Sequence, residues 1–255
     1  MVTQHASGRA RLADIPWEMY PDPHDRPTSP VKVVSPDDPN ILYVKFDPNF
    51  TAGEHWHPHD TVYIITQGSL RFGNEGTFGP GDVRWVKGGH SYGPEEAGPE
   101  GVEFLLMSLG GPIGLNWSDI YEPPHLDAHG DDVAGRARLS EVEWEMYPDP
   151  YGRPTSPVKV LSADSPNILY VKFDPNFTAG EHWHPDDTIY FITKGSLRFG
   201  DEGTFGVNDV RWVRGGHSYG PEEAGPDGVE FFLVSPSPVG LNWSDLVPPP
   251  SGAIA

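Results

Sequence analysis

Residues Asn40 to Pro58, NILYVKFDPNFTAGEHWHP, recur letter for letter as Asn167 to Pro185. A chain written twice folds twice, so each copy must close its own core from about half of the sequence. The match carries Arg9 to Pro123 onto Arg136 to Pro249 at a constant offset, broken by one deleted residue near Leu109 to Gly114, after which Leu115 answers Leu241. Each copy therefore has roughly 115–125 residues, a size at which one hydrophobic core is sustainable. The expected domains are 1–123 and 136–255. The segment 124–135, PHLDAHGDDVAG, has no counterpart and no periodic apolar pattern, and reads as a linker. A unit this long, present twice, is a duplicated domain and not a solenoid repeat.

Within each copy the signal is β. Ile41 to Phe46, Thr61 to Thr66, Ser69 to Phe72, Val83 to Val86 and Val102 to Met107 are short runs rich in Val, Ile, Tyr and Phe. With 30 Gly and 29 Pro in the chain, little room is left for long helices, and a single turn is the most expected over Ala13 to Met19 or Glu141 to Met146. Many short strands at this spacing point to an all-β sandwich or barrel.

Composition narrows the chemistry. There is no cysteine, so thiolate ligands, disulfides and cysteine nucleophiles drop out, and any metal must be held by nitrogen and oxygen. A net charge of −20 repels nucleic-acid phosphates and anionic lipid, leaving a small molecule as the expected partner. Neither a signal-peptide pattern nor a membrane-length apolar run is seen, so a cytoplasmic location is expected. Phosphate-binding GxxxxGK[ST] and the G-x-S-x-G nucleophile elbow are both missing. What remains are two His-x-His pairs, His55 with His57 and His182 with His184, in which strand alternation puts both imidazoles on one face. Of the other histidines only His90 and His217 are duplicated.

Gly53-Glu-His-Trp-His57, Thr61 and Gly68, followed by Gly81-Asp82 and Gly89-His-Ser-Tyr-Gly93, resemble the two motif regions of the cupin superfamily, and the whole chain resembles a bicupin. The resemblance implies a double-stranded β-helix, or jelly roll, in each half. It also implies a central metal held by the two His of the first motif, a Glu four residues later, and a His of the second motif. Both copies depart from that pattern alike. Thr61 and Thr188 stand where the family has its Glu, and Tyr92 and Tyr219 where it has its second-motif His, with His90 and His217 two residues earlier. If that segment is extended, His90 and Tyr92 share a face, and either could approach the metal.

Three imidazoles around a divalent ion leave coordination positions open for substrate or dioxygen. The leading expectation is an iron(II) oxygenase with His55, His57 and His90 as one ligand set and His182, His184 and His217 as the other. Zn, Mn, Ni and Cu are the alternative metals. A second expectation is a non-redox isomerase, cyclase or lyase with Tyr92 and Tyr219 as acid/base groups; a third is a small-molecule binding module without turnover. Tyr63 and Tyr190 share the parity of His57 and His184 and so are candidate pocket phenols, with core packing as the other reading. Arg84 and Arg211 could clamp a substrate carboxylate, or else pair with one of the many acids. The loop Gly93 to Pro99, repeated at Gly220 to Pro226, reads first as a solvated turn and second as a lid or a partner for an imidazole. The two fused halves resemble a paired single-cupin dimer, and a homodimer of the whole chain is left open.

Overall fold

The structure, a computed structural model, describes residues 7–124 and 133–250. It is all-β, with two 3-10 turns, Leu12–Asp14 and Gly200–Glu202, as its helical elements among the described residues. The helical turn expected over Ala13 to Met19 is reduced to the first of these turns and followed by the short strand Glu18–Met19. Two compact units form: Asp14–Glu141, and the described part of Met1–Ala13 together with Val142–Ala255.

In the first unit the antiparallel sheet runs, strand by strand, Ala134–Ala137, Val83–Val86, Thr61–Phe72, Glu95–Ser108, Asn40–Phe46, Pro30–Ser35 and Glu18–Met19. Thr51–Ala52 and Gly76–Phe78 pair with the two long central strands. A separate ribbon joins His55–Trp56 to Asn116–Trp117. The second unit repeats the plan with Ser7–Arg11, Asp209–Val213, Thr188–Phe199, Glu222–Ser235, Asn167–Phe173, Pro157–Ser162 and Glu145–Met146, and with the ribbon of His182–Trp183 and Asn242–Trp243.

The long strands explain the shape of the core. Phe104 and Leu106 alternate with Leu105 and Met107 along Glu95–Ser108, and all four are buried, so this strand is covered on both faces. The Phe104 face gathers Val31, Leu42, Val44, Phe46, Tyr63 and Phe72 into one cluster. Where Thr61–Phe72 meets Glu95–Ser108 the register breaks between Ala97 and Val102. Gly68 sits there at φ 68°, and a Cβ on it would run into the Gly101 carbonyl. Only glycine allows the two long strands to stay paired across this bulge.

The edge strands were not expected where they lie. Ser7–Arg11, which belongs to the first sequence copy, pairs with Asp209–Val213 of the second unit's sheet. Ala134–Ala137 pairs with Val83–Val86 in the first unit. The expected division at 123 and 136 therefore becomes breaks at 13/14 and 141/142. Of the expected linker 124–135, residues 125–132 lie outside the described residues, while Ala134 and Gly135 are strand. The physical reason is that Gly8-Arg-Ala-Arg-Leu12 and Gly135-Arg-Ala-Arg-Leu139 are the same pentapeptide, so each fits either sheet. In both places the glycine lies under a tryptophan ring, Trp212 over Gly8 and Trp85 over Gly135, leaving no space for a Cβ.

Candidate functional site

The first histidine of each His-x-His pair sits on a strand of two residues held from both sides, and the second follows just past its end. His55–Trp56 pairs with Asn116–Trp117, and on its other edge His55 and Tyr92 exchange backbone hydrogen bonds of 3.0 and 2.9 Å. His55 and His57 are both buried and turn to one side, their ring centroids 5.2 Å apart. The ring Nδ1 of His55 lies 2.8 Å from the Gly53 carbonyl, and that of His57 lies 2.6 Å from the Gly114 carbonyl. A carbonyl only accepts, so each Nδ1 carries the proton and donates, and each Nε2 is left with its lone pair. His182 and His184 repeat this with Gly180 and Gly240, at 2.8 and 2.7 Å. Burial pushes His55 down to about 4 and both His57 and His184 to about 3, so these imidazoles are neutral at pH 7.

The pair faces a cavity. About 550 Å³ of empty space, its mouth included, is lined in the first unit mainly by apolar side chains such as Leu42, Phe46, Phe104 and Leu106, into which His55, His57, Tyr63 and Glu95 bring the polar atoms. The second unit encloses about 560 Å³ with His182, His184, Tyr190 and Glu222 in the same places.

Glu95 is the residue that sequence reasoning misplaced. The Gly93 to Pro99 segment is not a solvated turn: Glu95 opens the long strand Glu95–Ser108, pairs with Phe72 and Ala52, and is 3% exposed. Its Oε1 lies 3.8 Å from His55 Nε2, and Glu222 Oε1 lies 3.9 Å from His182 Nε2. Burial raises the Glu95 carboxyl to about 7, against a hydrogen bond from Tyr63 and the charge of Arg84, which lower it. Because His55 is neutral, the 3.8 Å approach is not an ion pair. The Oε1 atoms of Glu95 and Glu222, and His184 Nε2, are buried without a hydrogen-bond partner.

Tyr63 and Tyr190 lie on the cavity wall, as expected, but the chain bends at Pro58 and His59 between the strands His55–Trp56 and Thr61–Phe72, so an unbroken alternation from His57 is not what puts Tyr63 there. The Tyr63 hydroxyl stands 3.5 Å from His57 Nε2 and shares a short hydrogen bond with the Tyr92 hydroxyl; Tyr190 and Tyr219 form the same phenol pair. Burial holds all four phenols above their usual range, so they remain protonated. Tyr92 packs against His55 at 4.7 Å between ring centroids but stands behind the cavity wall, so its part is to support the histidine and Tyr63.

Two expectations are corrected. Arg84 does not reach the cavity: its Nε and Nη2 donate to the Glu75 carboxylate at 2.8 and 2.7 Å, and its guanidinium lies over the Tyr92 and Phe72 rings at 4.2 and 4.5 Å. Arg211 does the same with Glu202, Tyr219 and Phe199. These arginines brace the wall and clamp no substrate. Nor does the structure bring His90 to the pair. The chain turns at Gly88 and Gly89, the latter at φ 77°, so the segment is not extended and the period of two does not reach from Tyr92 back to His90. His90 Nδ1 instead donates toward the Lys87 and Gly88 carbonyls at 3.3 and 3.2 Å, and neither His90 nor His217 lines either of these two cavities. The three-His sets are thus not assembled.

As the side chains stand, among the described residues no three His, Asp or Glu side chains form a finished metal cage. The donor chemistry nevertheless suits a divalent ion. Each barrel offers two imidazoles whose Nδ1 atoms are turned to backbone carbonyls and whose Nε2 atoms face inward, plus a buried carboxyl oxygen without a partner.

The two histidines also set a pH response. Below their ordinary value of 6.5 the unfolded chain protonates His55 and His57, while the fold keeps them neutral down to about 4 and about 3. Their neutrality therefore costs stability as the pH falls from 6.5 towards 4, by on the order of 1.4 kcal/mol per pH unit for each. Glu95 acts in the opposite sense, its contribution being full below 4.5 and lost as the pH rises to about 7. Urea unfolding of the metal-free chain and of a His55→Gln/His57→Gln variant isolates the histidine effect: relative to the variant, the native chain should lose stability steadily from pH 6.5 to 4. A difference that does not change with pH would contradict the buried neutral pair.

Compared by sequence, the chain matches no protein-family profile and no curated protein. Compared by structure, it is similar to a candidate dioxygenase of Nostoc punctiforme, at TM-score 0.74 and 15% identity, covering 91% of this chain and 83% of that one. It is also similar to a variant of the oxalate decarboxylase of Bacillus subtilis, at TM-score 0.63 and 16% identity, covering 91% and 78%. A second variant of that decarboxylase gives TM-score 0.63 at 15% identity, covering 94% and 81%. Identities this low speak to fold alone, and with the paired sheets and the His-x-His ribbons they give this chain the architecture of two jelly-roll barrels in tandem, the fold that the cupin resemblance implies.

Proposed function

We propose that each barrel is the centre of a metal-dependent enzyme acting on a small molecule with a largely apolar body, the metal anchored by His55 and His57 in one unit and by His182 and His184 in the other. One observation carries this reading. Two imidazoles, each locked by a backbone carbonyl at Nδ1, turn their Nε2 atoms into a largely apolar cavity, and the arrangement occurs twice. A pair of buried lone pairs without protons costs the fold stability, and a bound cation is what offsets that cost.

The reaction class proposed first is oxygenation at iron(II), in keeping with the likeness to a candidate dioxygenase. A metal bound here would supply Lewis acidity and, as iron, access to dioxygen. The chain's own residues do the rest. Phe46, Phe104 and Leu106 keep water from the apolar part of the substrate. Tyr63, protonated and facing the cavity, donates a hydrogen bond to a substrate oxygen or to the Glu95 carboxylate. Glu95, at about 7, is able to hold or release a proton near neutral pH. That last observation favours a second reading, a non-oxidative lyase or isomerase in which Tyr63, and Glu95 where no ion takes up its carboxylate, move the proton, replacing the Tyr92 role expected from the sequence.

Dioxygen consumption separates the two. With the iron-loaded chain and a panel of small enolic and carboxylic substrates, uptake in step with turnover supports the first reading. Turnover that proceeds unchanged under argon rejects it in favour of the second.

A further inference from the structure

Thr61 and Thr188 stand where a cupin centre of the usual kind has its carboxylate, yet neither barrel lacks one. Thr61 is fully buried and does not line the cavity. The carboxylate arrives instead from another strand: Glu95 enters from the start of Glu95–Ser108, beside the ribbon that carries His55. We propose that Glu95 and Glu222 are the carboxylate ligands of the two metal centres, so that each centre is built from two histidines and one glutamate and not from three histidines. The inference rests on the metal-binding reading above and specifies its ligand set.

Three observations support it. First, a Glu side chain this buried must have a partner or neutralise, and the partner of Oε1 is missing in both units. Second, the missing partner is on the histidine side. Glu95 Oε1 and His55 Nε2 are 3.8 Å apart, and Glu222 Oε1 and His182 Nε2 are 3.9 Å apart, while the Nδ1 atom of each ring is turned to a backbone carbonyl. Two donors each about 2.1 Å from one ion stand roughly 3.0–3.4 Å apart at angles of about 90–110°. The observed gaps exceed that by well under an ångström, within the reach of side-chain rotation. Third, the neighbouring acid does not compete: Glu96 pairs with Arg71, and Glu223 with Arg198, on the other face of the strand. Two imidazoles and one carboxylate leave several positions open on a six-coordinate ion and lower its charge by one relative to a three-His site.

Cobalt(II) titration of the full chain, followed by its visible absorption and by calorimetry, tests the assignment without any assay of activity. The native chain should bind one ion per barrel. Glu95→Gln with Glu222→Gln should weaken binding by at least about 10-fold and change the absorption, because a charged ligand is replaced by a neutral amide. Glu96→Gln with Glu223→Gln should leave both unchanged. Should the Gln variant fold poorly by circular dichroism, Glu95→Asp with Glu222→Asp retains the charge on a shorter arm and should weaken binding less than loss of the carboxylate, while still shifting the spectrum. Native affinity and spectrum in the folded Gln variant, or an unshifted spectrum in the Asp variant, would overturn the glutamate assignment and leave the histidine anchor standing. A native chain that binds no cobalt would overturn both.

Discussion

His57→Ala combined with His184→Ala is expected to strip both barrels of metal and to abolish turnover while leaving two folded units. His57 is chosen because it is the more deeply perturbed of the pair, pushed to about 3 by burial and the adjacent His55, and because its Nδ1 bond to Gly114 is the shorter. Truncation removes one of two imidazole donors, and the remaining His55 with the Glu95 carboxylate holds a divalent ion only weakly against water; a loss of at least about 100-fold in metal affinity is expected. The structural cost is modest by comparison. It amounts to one hydrogen bond to a backbone carbonyl, about 1 kcal/mol, plus the packing of a ring that already borders empty space. Metal analysis should therefore fall to background while the melting temperature moves by only a few degrees. A variant that keeps its metal would show that the ion, if present, is held elsewhere.

The largest stability effect is expected away from the cavity, at Arg84. Its guanidinium is 1% exposed, bonded in fork fashion to Glu75 and stacked over Tyr92 and Phe72. Removing one partner of a buried pair strands the other charge, which costs about 3–5 kcal/mol when both are enclosed. Glu75 is 31% exposed, so water recovers part of that, and about 2–3 kcal/mol is the expected loss for Glu75→Gln. For a unit of this size that lowers the melting temperature by roughly 10 °C. Arg84→Met removes the charge itself and should cost less than Glu75→Gln, although it deletes more hydrogen bonds. Calorimetry of the two variants checks the order. A Glu75→Gln variant as stable as the native chain would mean that Arg84 is not held by this pair.

How much of this was legible in the sequence depends on whether the deciding contact is local. His55 and His57 follow from alternation within three residues and the structure places both on the cavity; Tyr63 lies there too, but on a separate strand after the bend at Pro58 and His59, so its place was not fixed by alternation from His57. The strand Val83–Val86 and most of Asn40–Phe46 follow from β-branched and aromatic runs. His90 fails for a local reason, since Gly88 and Gly89 turn the chain and the alternation does not carry through. Glu95 fails for a non-local one. Gly-Pro-Glu-Glu reads as a turn, and only the pairing of Glu95 with Phe72 and Ala52 draws it into strand and buries it. Had the segment been read as strand, the period of two would have put Glu95 on one face with Ala97 and opposite Glu96, which is the alternation of burial the structure has. Arg84 has the apolar neighbours of a core strand residue, but that Glu75 would take up its fork depends on Gly76–Phe78 and Val83–Val86 both pairing with Thr61–Phe72. The edge strands could not be placed, because two identical pentapeptides carry no information about which sheet each one joins.

The most direct test of the account is elemental analysis of the full chain, purified without chelators and again after incubation with iron(II), manganese(II) or zinc(II) and gel filtration. One transition-metal ion per barrel, lost when His55, His57, His182 and His184 are replaced, is the predicted result. A native chain that remains free of metal under every one of these conditions would contradict it, and would make the two barrels binding cavities whose chemistry rests on Glu95, Tyr63 and their counterparts alone.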